Sequence, residues 1–589
     1  MTNVDLQANL LRGLLLPLLV LSSACAGVAP PARGPETAGA SPTPTTQAPA
    51  SPAPTSSAFA IDGPVREEWL PLLKPAAVDP AKAKLLAPPP GLAPVPAVCD
   101  AYAVRRGEGK VACADPAAAL DALDAALGRS DPARRDAALV DLDACAGLPA
   151  GVTRAIRAEL APVECGEAIV EPFLKAPPAA TNGIVYGAML GQAVAARLAR
   201  TAQNPPALAP PHDRARVLEF IKGPMRGWLE QQALAIETIS HAAAELPYYG
   251  KGIAAVEAGV ADLRLVEAVR GGPIPDEFKK DEELRNAYYG SLDQMLDPRK
   301  DRGRDAALVG LKELALVGVI RDARVDRARV LLSRLYGGRR IDALDALLVP
   351  ALPRAEPASL EERLAARLPT LYAGLLLDEQ AASRPGTLRQ LVDRGVPLPQ
   401  RIALRSVHLA PEAQALYARA HLELGRLYWR AVDFDQAAAL AASALAPADH
   451  QARGAAHGSP GVTPDSTTFT LALALALRNG PDDAADMMRK APRALPPAQS
   501  AALDAVAAQS PQNPNAGLAA FDAAFIHQLA SPEGAGATYW DDVATRFHAA
   551  ARLLTEPAHR ALAEDRAKAA EAVARVVTPN GPQGRPARD

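Results

Sequence analysis

From residue 115 onward, apolar positions recur three and four apart in segments of about 12 to 20 residues, with Pro or Gly between them. Leu120, Leu123 and Leu127 form one such stripe, stopped at Gly128; Leu139, Leu142 and Cys145 form the next, stopped at Gly147. Each follows an Asp-Pro pair, Asp115-Pro116 and Asp131-Pro132. That pair places a carboxylate acceptor at the N-cap and a proline at the first helical position, where its missing N–H costs nothing. The same period predicts helices over 184–200, 214–246, 253–269, 304–319, 324–335, 360–377, 411–430 and 537–554. Residues 471–477 alternate Leu and Ala, which is a strand period. Ala favours helix, however, and Asp465 and Ser466 offer caps, so the segment reads as a buried helix. The pattern predicts an all-α fold: a helical array or α-solenoid.

The N-terminal region is patterned differently. Residues 10–21 are apolar except for Arg12 and Gly13, and small residues Ser22, Ser23 and Ala24 follow, then Cys25. The uninterrupted part falls well short of the ~20 residues a bilayer core demands, so it reads as a secretory signal over 1–24. Residues 26–60 hold eight Pro, much Ser, Thr and Ala, and only Arg33 and Glu36 as charges. Such a stretch buries too little apolar surface to fold and reads as a tether, able to reach about 100 Å at ~3.1 Å per residue. The run Leu21-Ser22-Ser23-Ala24-Cys25 resembles the lipobox of bacterial lipoproteins. That resemblance implies cleavage before Cys25, fatty acylation (palmitate) of its thiol, and, because Ala26 rather than Asp follows, an outer-membrane location facing the periplasm.

The remaining cysteines, Cys99, Cys113, Cys145 and Cys165, are even in number and lack a CxxC knuckle, so two disulfides are expected rather than structural zinc. Three connectivities are open; loop closure alone favours Cys99–Cys113 with Cys145–Cys165. The organisation expected is a lipidated cysteine and linker over 25–60, a disulfide-containing helical region over 61–175, a central helical domain over 176–350, a C-terminal helical domain over 351–576 and a disordered tail over 577–589.

Two stretches resemble repeat families. Residues 131–139 are similar to part of a HEAT-type repeat. Leu424-Gly425-Arg426-Leu427-Tyr428, with Phe434, Ala437, Ala444 and Pro447, is similar to one tetratricopeptide (TPR) unit. The TPR resemblance implies two packed helices, with Gly425, Ala437 and Ala444 permitting close approach while Leu424, Tyr428 and Phe434 fill the gap.

The formal charge is −3, from 63 Lys+Arg against 66 Asp+Glu, and it gives no argument for nucleic acid. Locally the balance shifts. Residues 276–297 carry seven acids and three bases, and residues 299–340 carry twelve bases and five acids. Tyr248-Tyr249 and Tyr288-Tyr289 flank this region. Together with Arg321, Arg324 and Arg327 they either line a recognition groove for a protein partner or an anionic ligand, or they are core tyrosines beside a solvated basic face.

Other motifs are weaker. Glu237, His241 and Glu245, with Glu230 upstream, share a helix face, which reads as solvated rather than metal-binding. The loop around Ser459 lacks a nucleophile-elbow glycine, and Gly107-Glu108-Gly109-Lys110 lacks the spacing of a phosphate loop. Gly183, Gly187 and Gly191 form a stripe suited to close helix packing inside a soluble body.

No cofactor motif is present. The expected role is an envelope lipoprotein acting as a helical protein–protein interaction scaffold, held to the membrane by its lipid and contacting other envelope proteins. The alternatives are a cell-wall enzyme cleaving glycan on a helical superstructure and a lipid or small-solute binding protein.

Overall fold

The computed structural model describes residues 58–66, 77–107, 109, 113, 115–319, 322–335, 340–352, 354–394, 409–446, 463–489 and 500–577. Cys25, Arg321, the Ser459 loop and residues 578–589 lie outside them. The described chain is an all-α array; no strand occurs among the described residues, and no helix in them is long and apolar enough to cross a membrane.

Helix α1 (Pro116–Leu127) begins as its sequence dictates, with Asp115 Oδ1 accepting from the N–H groups of Ala117 and Ala118, both at 3.0 Å. Asp131 does the same for α2 (Pro132–Asp141), accepting from Arg134 N at 2.7 Å. Helix α2 stops short of the expected Gly147. Residues beyond it turn away because Asp143 is held by Thr153 Oγ1 at 2.6 Å and Arg154 Nη2 at 2.9 Å, both on α3 (Val152–Leu160).

The cysteines form two bridges, but the favoured connectivity is corrected. Cys99 pairs with Cys165, and Cys113 with Cys145, so one bridge is nested inside the other. Loop closure prefers sequence neighbours. Here packing wins instead, because the short 3-10 turns Ala97–Cys99 and Val163–Cys165 lie against each other ahead of α4 (Gly166–Lys175).

The centre is built on α5 (Gly183–Ala199), α6 (Arg226–Ala243), α7 (Tyr248–Arg270) and α8 (Glu282–Val317). The glycine stripe of α5 packs on α7 within the body: a Cβ on Gly250 would lie 2.6 Å from Gly187 O, and one on Gly191 would collide with Gly250 Cα. On its other side α7 meets α8 through Gly259, whose Cβ would lie 2.6 Å from Gly303 O. Arg264 of α7 then donates to the terminal carbonyls of α5, Ala199 O at 2.6 Å and Leu198 O at 3.1 Å, satisfying acceptors that a helix end leaves open.

Three helices differ from expectation around proline. Helix α8 runs through Pro298 for 36 residues, where the pattern predicted only 304–319, because its packing on α7 outweighs one lost backbone bond. The predicted helix over 214–246 contains a π turn, Ile221–Met225, which accommodates Pro224. The helix predicted over 360–377 is split at Pro369 into Leu360–Ala365 and Thr370–Leu376.

Helix α9 (Ala323–Leu335) precedes, further along the chain, two packed helices, α10 (Pro411–Tyr428) and α11 (Ala431–Leu445), over the residues of the TPR resemblance. Trp429 turns the chain between them in the left-handed region, at φ 58°. Gly425 admits the Phe434 ring, which a Cβ would meet at 2.6 Å. The Leu-Ala segment is helical in α12 (Pro464–Leu477), but its cap is Thr463, with Pro464 at the first position, rather than Asp465 or Ser466. Helices α13 (Ala516–Leu529), α14 (Ala537–Leu553) and α15 (Pro557–Val577) complete the array. One apolar cluster runs from Cys99 to Ala570. The chain is already docked before the predicted end of the linker region has been passed by more than a few residues, since Arg478 Nη1 donates to Asp62 O at 2.7 Å.

Candidate functional site

The tyrosine and arginine residues singled out by sequence separate into two places. Tyr249, Arg324 and Arg327 come together. Arg324 Nη2 donates to Glu159, to Asp322 Oδ2 at 2.7 Å and to Tyr249 OH at 3.3 Å. Gln192 Nε2 closes the network, donating to Glu159 Oε2 at 2.8 Å and to Tyr372 OH at 3.2 Å. Arg327 donates to Glu257 of α7. Burial, then the nearby Glu159 charge, pushes the Tyr249 and Tyr372 hydroxyls well up. Burial also opposes ionisation of Asp322, but Arg324 and backbone N–H groups outweigh it and its pKa falls. At Glu257 burial prevails over Arg327 and Arg264, and the pKa rises.

Tyr288 and Tyr289 are elsewhere, in a separate small cluster with Phe278, at ring separations of 5.9 Å (Phe278–Tyr288) and 5.4 Å (Tyr288–Tyr289). Burial lifts the Tyr288 hydroxyl to about 12. Tyr249 and Tyr288 are only 4% and 5% exposed, and Tyr248 is half-buried, so the four rings do not line a common groove. Among the described residues the acidic and basic runs meet locally, where Lys300 reaches Asp297 at 3.1 Å and Asp293 at 3.4 Å. Arg299, Arg302 and Arg327 instead reach carboxylates of α7.

A cleft of about 880 Å³ lies between α6 and α8, floored by α7. Near one end its walls are Leu229, Leu265, Val266, Val269, Met295 and Leu296; near the other they are Ala254, Ala255, Ala258, Ala306 and Val309. A polar waist separates them. Asp262, 1% exposed, receives Arg299 Nη1 at 2.7 Å and pairs with Arg302 Nε at 3.1 Å. Burial raises the Asp262 pKa even though both guanidinium groups oppose it. Glu237 stands 3.9 Å from Arg302. Sequence reasoning missed Asp262, Arg299 and Arg302 as a group. The signal was available: Glu257 and Asp262 are acids in the stretch 252–263, whose other residues are Gly, Ala, Val, Ile and Leu, where a charge must find partners.

The remaining motifs have ordinary employment. Glu230 accepts from Arg226 Nε at 2.7 Å, and among the described residues no group of three His, Cys, Asp or Glu is placed to hold a metal ion. Gly109 N donates to Asp141 Oδ1 at 3.1 Å. Asp522, fully buried, accepts from Leu348 N at 2.8 Å, and burial pushes its pKa well up.

Comparison of the chain with family models, with curated proteins and with solved structures returns no match.

Proposed function

We propose that the chain is an exported envelope lipoprotein, acylated at Cys25 and held at the outer membrane on its periplasmic side, whose helical body binds other envelope proteins. The observation that carries export is the pairing of all four body cysteines into two bridges, since such bridges persist in oxidising compartments. The lipobox-like residues before Cys25 and the Pro-rich tether support the anchor. A helical array supports a binding role because packed helices present long surfaces for contact.

The test is thiol titration and intact mass of protein purified from envelopes under denaturing, non-reducing conditions. No titratable body thiol is expected, together with an acyl mass that Cys25→Ser removes. Four titratable thiols, or an unacylated chain in the cytosol, would reject the reading. A second reading, binding of a small amphiphilic solute, is favoured by the cleft between α6 and α8.

A further inference from the structure

We infer that the cleft between α6 and α8 is the binding site for an uncharged lipid with an apolar arm on each side of a carbonyl group, with a long-chain ester as the simplest member of the class. This rests on the solute-binding reading and adds the ligand's chemistry and its seat. Two apolar lobes flank the polar waist: Leu265, Met295 and Leu296 wall the first, and Ala258, Ala306 and Val309 wall the second. Lys251 and Val269 mark the ends of the α7 floor, which therefore spans about 27 Å at a rise of 1.5 Å per residue. That length suits an extended molecule lying through both lobes, and the volume lies within the range of about 300–1,000 Å³ typical of small-molecule sites.

Every charge on the lining already has a partner. Asp262 holds Arg299 at 2.7 Å and Arg302 at 3.1 Å, and Glu237 stands 3.9 Å from Arg302. Asp301 and Asp305 each pair with Arg304 at 2.9 Å, and Lys251 pairs with Glu313 at 3.2 Å. A ligand carboxylate at the waist would face Asp262 and Glu237, and a ligand ammonium would face both guanidinium groups. Either would give up its hydration without an unmatched counter-ion to replace it. An uncharged group escapes that cost. Hydrogen-bonding capacity remains where net charge does not. A guanidinium carries five N–H donors, and Arg299, its side chain 18% exposed, uses Nη1 on Asp262. Its Nε and Nη2 have no hydrogen-bond acceptor among the described residues. Arg299 lines the cleft, so the ligand's carbonyl oxygen accepts from these hydrogens at the waist while its two arms fill the lobes.

The experiment is displacement of the uncharged dye Nile red from the full chain by octyl octanoate, heptadecane, hexadecanoate and hexadecylammonium, each delivered from cyclodextrin. The ester should displace best, roughly tenfold better than heptadecane, which has the same length without the carbonyl, as expected for one hydrogen bond from a charged donor. Both ions should be weaker than the ester. Arg299→Met leaves Arg302 on Asp262 and should bring the ester to the level of heptadecane, with heptadecane itself unchanged. Met295→Trp and Ala255→Trp, which fill one lobe each, should both weaken the ester and heptadecane; melting temperatures report whether each variant is folded. Displacement by either ion as good as by the ester would overturn the uncharged class. An ester no better than heptadecane, or an unchanged preference in folded Arg299→Met, would overturn the carbonyl seat, and weakening by only one of the two tryptophans would overturn the span through both lobes. Failure of Nile red and of every competitor to bind would overturn the solute reading itself. Self-association that buries the cleft and resists the ester would also overturn it, identifying a second copy of the chain as the occupant.

Discussion

Arg324 and Arg302 come from the same basic run, yet their surroundings are opposite. Arg324 is held by Glu159, Asp322 and Tyr249, so its charge is met by two carboxylates and largely withdrawn from solvent. Arg302 shares Asp262 with Arg299 on the floor of an open cleft. A local excess of cations along the chain thus says little about an exposed basic face. What matters is which carboxylates the fold brings to each guanidinium. The first arrangement joins α9 to α3 and α7 and acts as structure. The second pairs both guanidinium groups with Asp262, and Arg302 with Glu237, beside the apolar walls of a cleft.

Substitutions in and around the two clusters put this contrast to the test. The largest effect is expected from Arg324→Ala, which leaves Glu159 and Asp322 buried without their cation and should cost about 3–5 kcal/mol in denaturant unfolding. If that variant were as stable as the parent, the enclosed network would not be structural. Gly191→Ala probes the packing that positions α7 beneath the cleft. Its methyl would strike the backbone of Gly250, so a loss of about 1–3 kcal/mol is expected, whereas Gly290→Ala, with open space around it, should cost nothing.

Asp522 offers the reverse of Arg324, a buried carboxylate with no ion pair among the described residues. Its raised pKa means that the folded state holds a proton that the unfolded chain has lost. Stability should therefore fall as pH rises from about 4 through the raised value. Asp522→Asn keeps an acceptor for Leu348 N–H and removes that slope, so it should gain about 1–3 kcal/mol at neutral pH and little at pH 4 in thermal melts. Among the charge variants the smallest effect belongs to Arg302→Gln. Arg299 still holds Asp262, and a change of about 1 kcal/mol or less is expected for a partly exposed pair. A loss as large as that of Arg324→Ala would erase the distinction between the two clusters.

Much of the fold was legible because its signals are local. The Asp-Pro caps of α1 and α2, the glycine stripe of α5 and the Gly425–Phe434 fit between α10 and α11 each depend on a few neighbouring residues. Long-range partners were not legible. Tyr249 and Tyr288 look alike in sequence, each in a Tyr-Tyr-Gly triplet, but one faces Arg324 and the other Phe278. The cleft depends on three helices that converge only after α8 is carried through Pro298, a residue that reads locally as an end. The cysteine pairing failed for the same reason, since a preference for short loops gave way to two turns brought together by packing.

The nesting of those bridges has a consequence for a cleaved chain. A protease that nicks the backbone anywhere between residues 113 and 145 leaves the two fragments covalently joined, because Cys99 and Cys113 are on one side of the cut while their partners are on the other. Consecutive pairing would have let the fragments part at that point. On a non-reducing gel the nicked molecule should migrate as a single species, and reductant should release two.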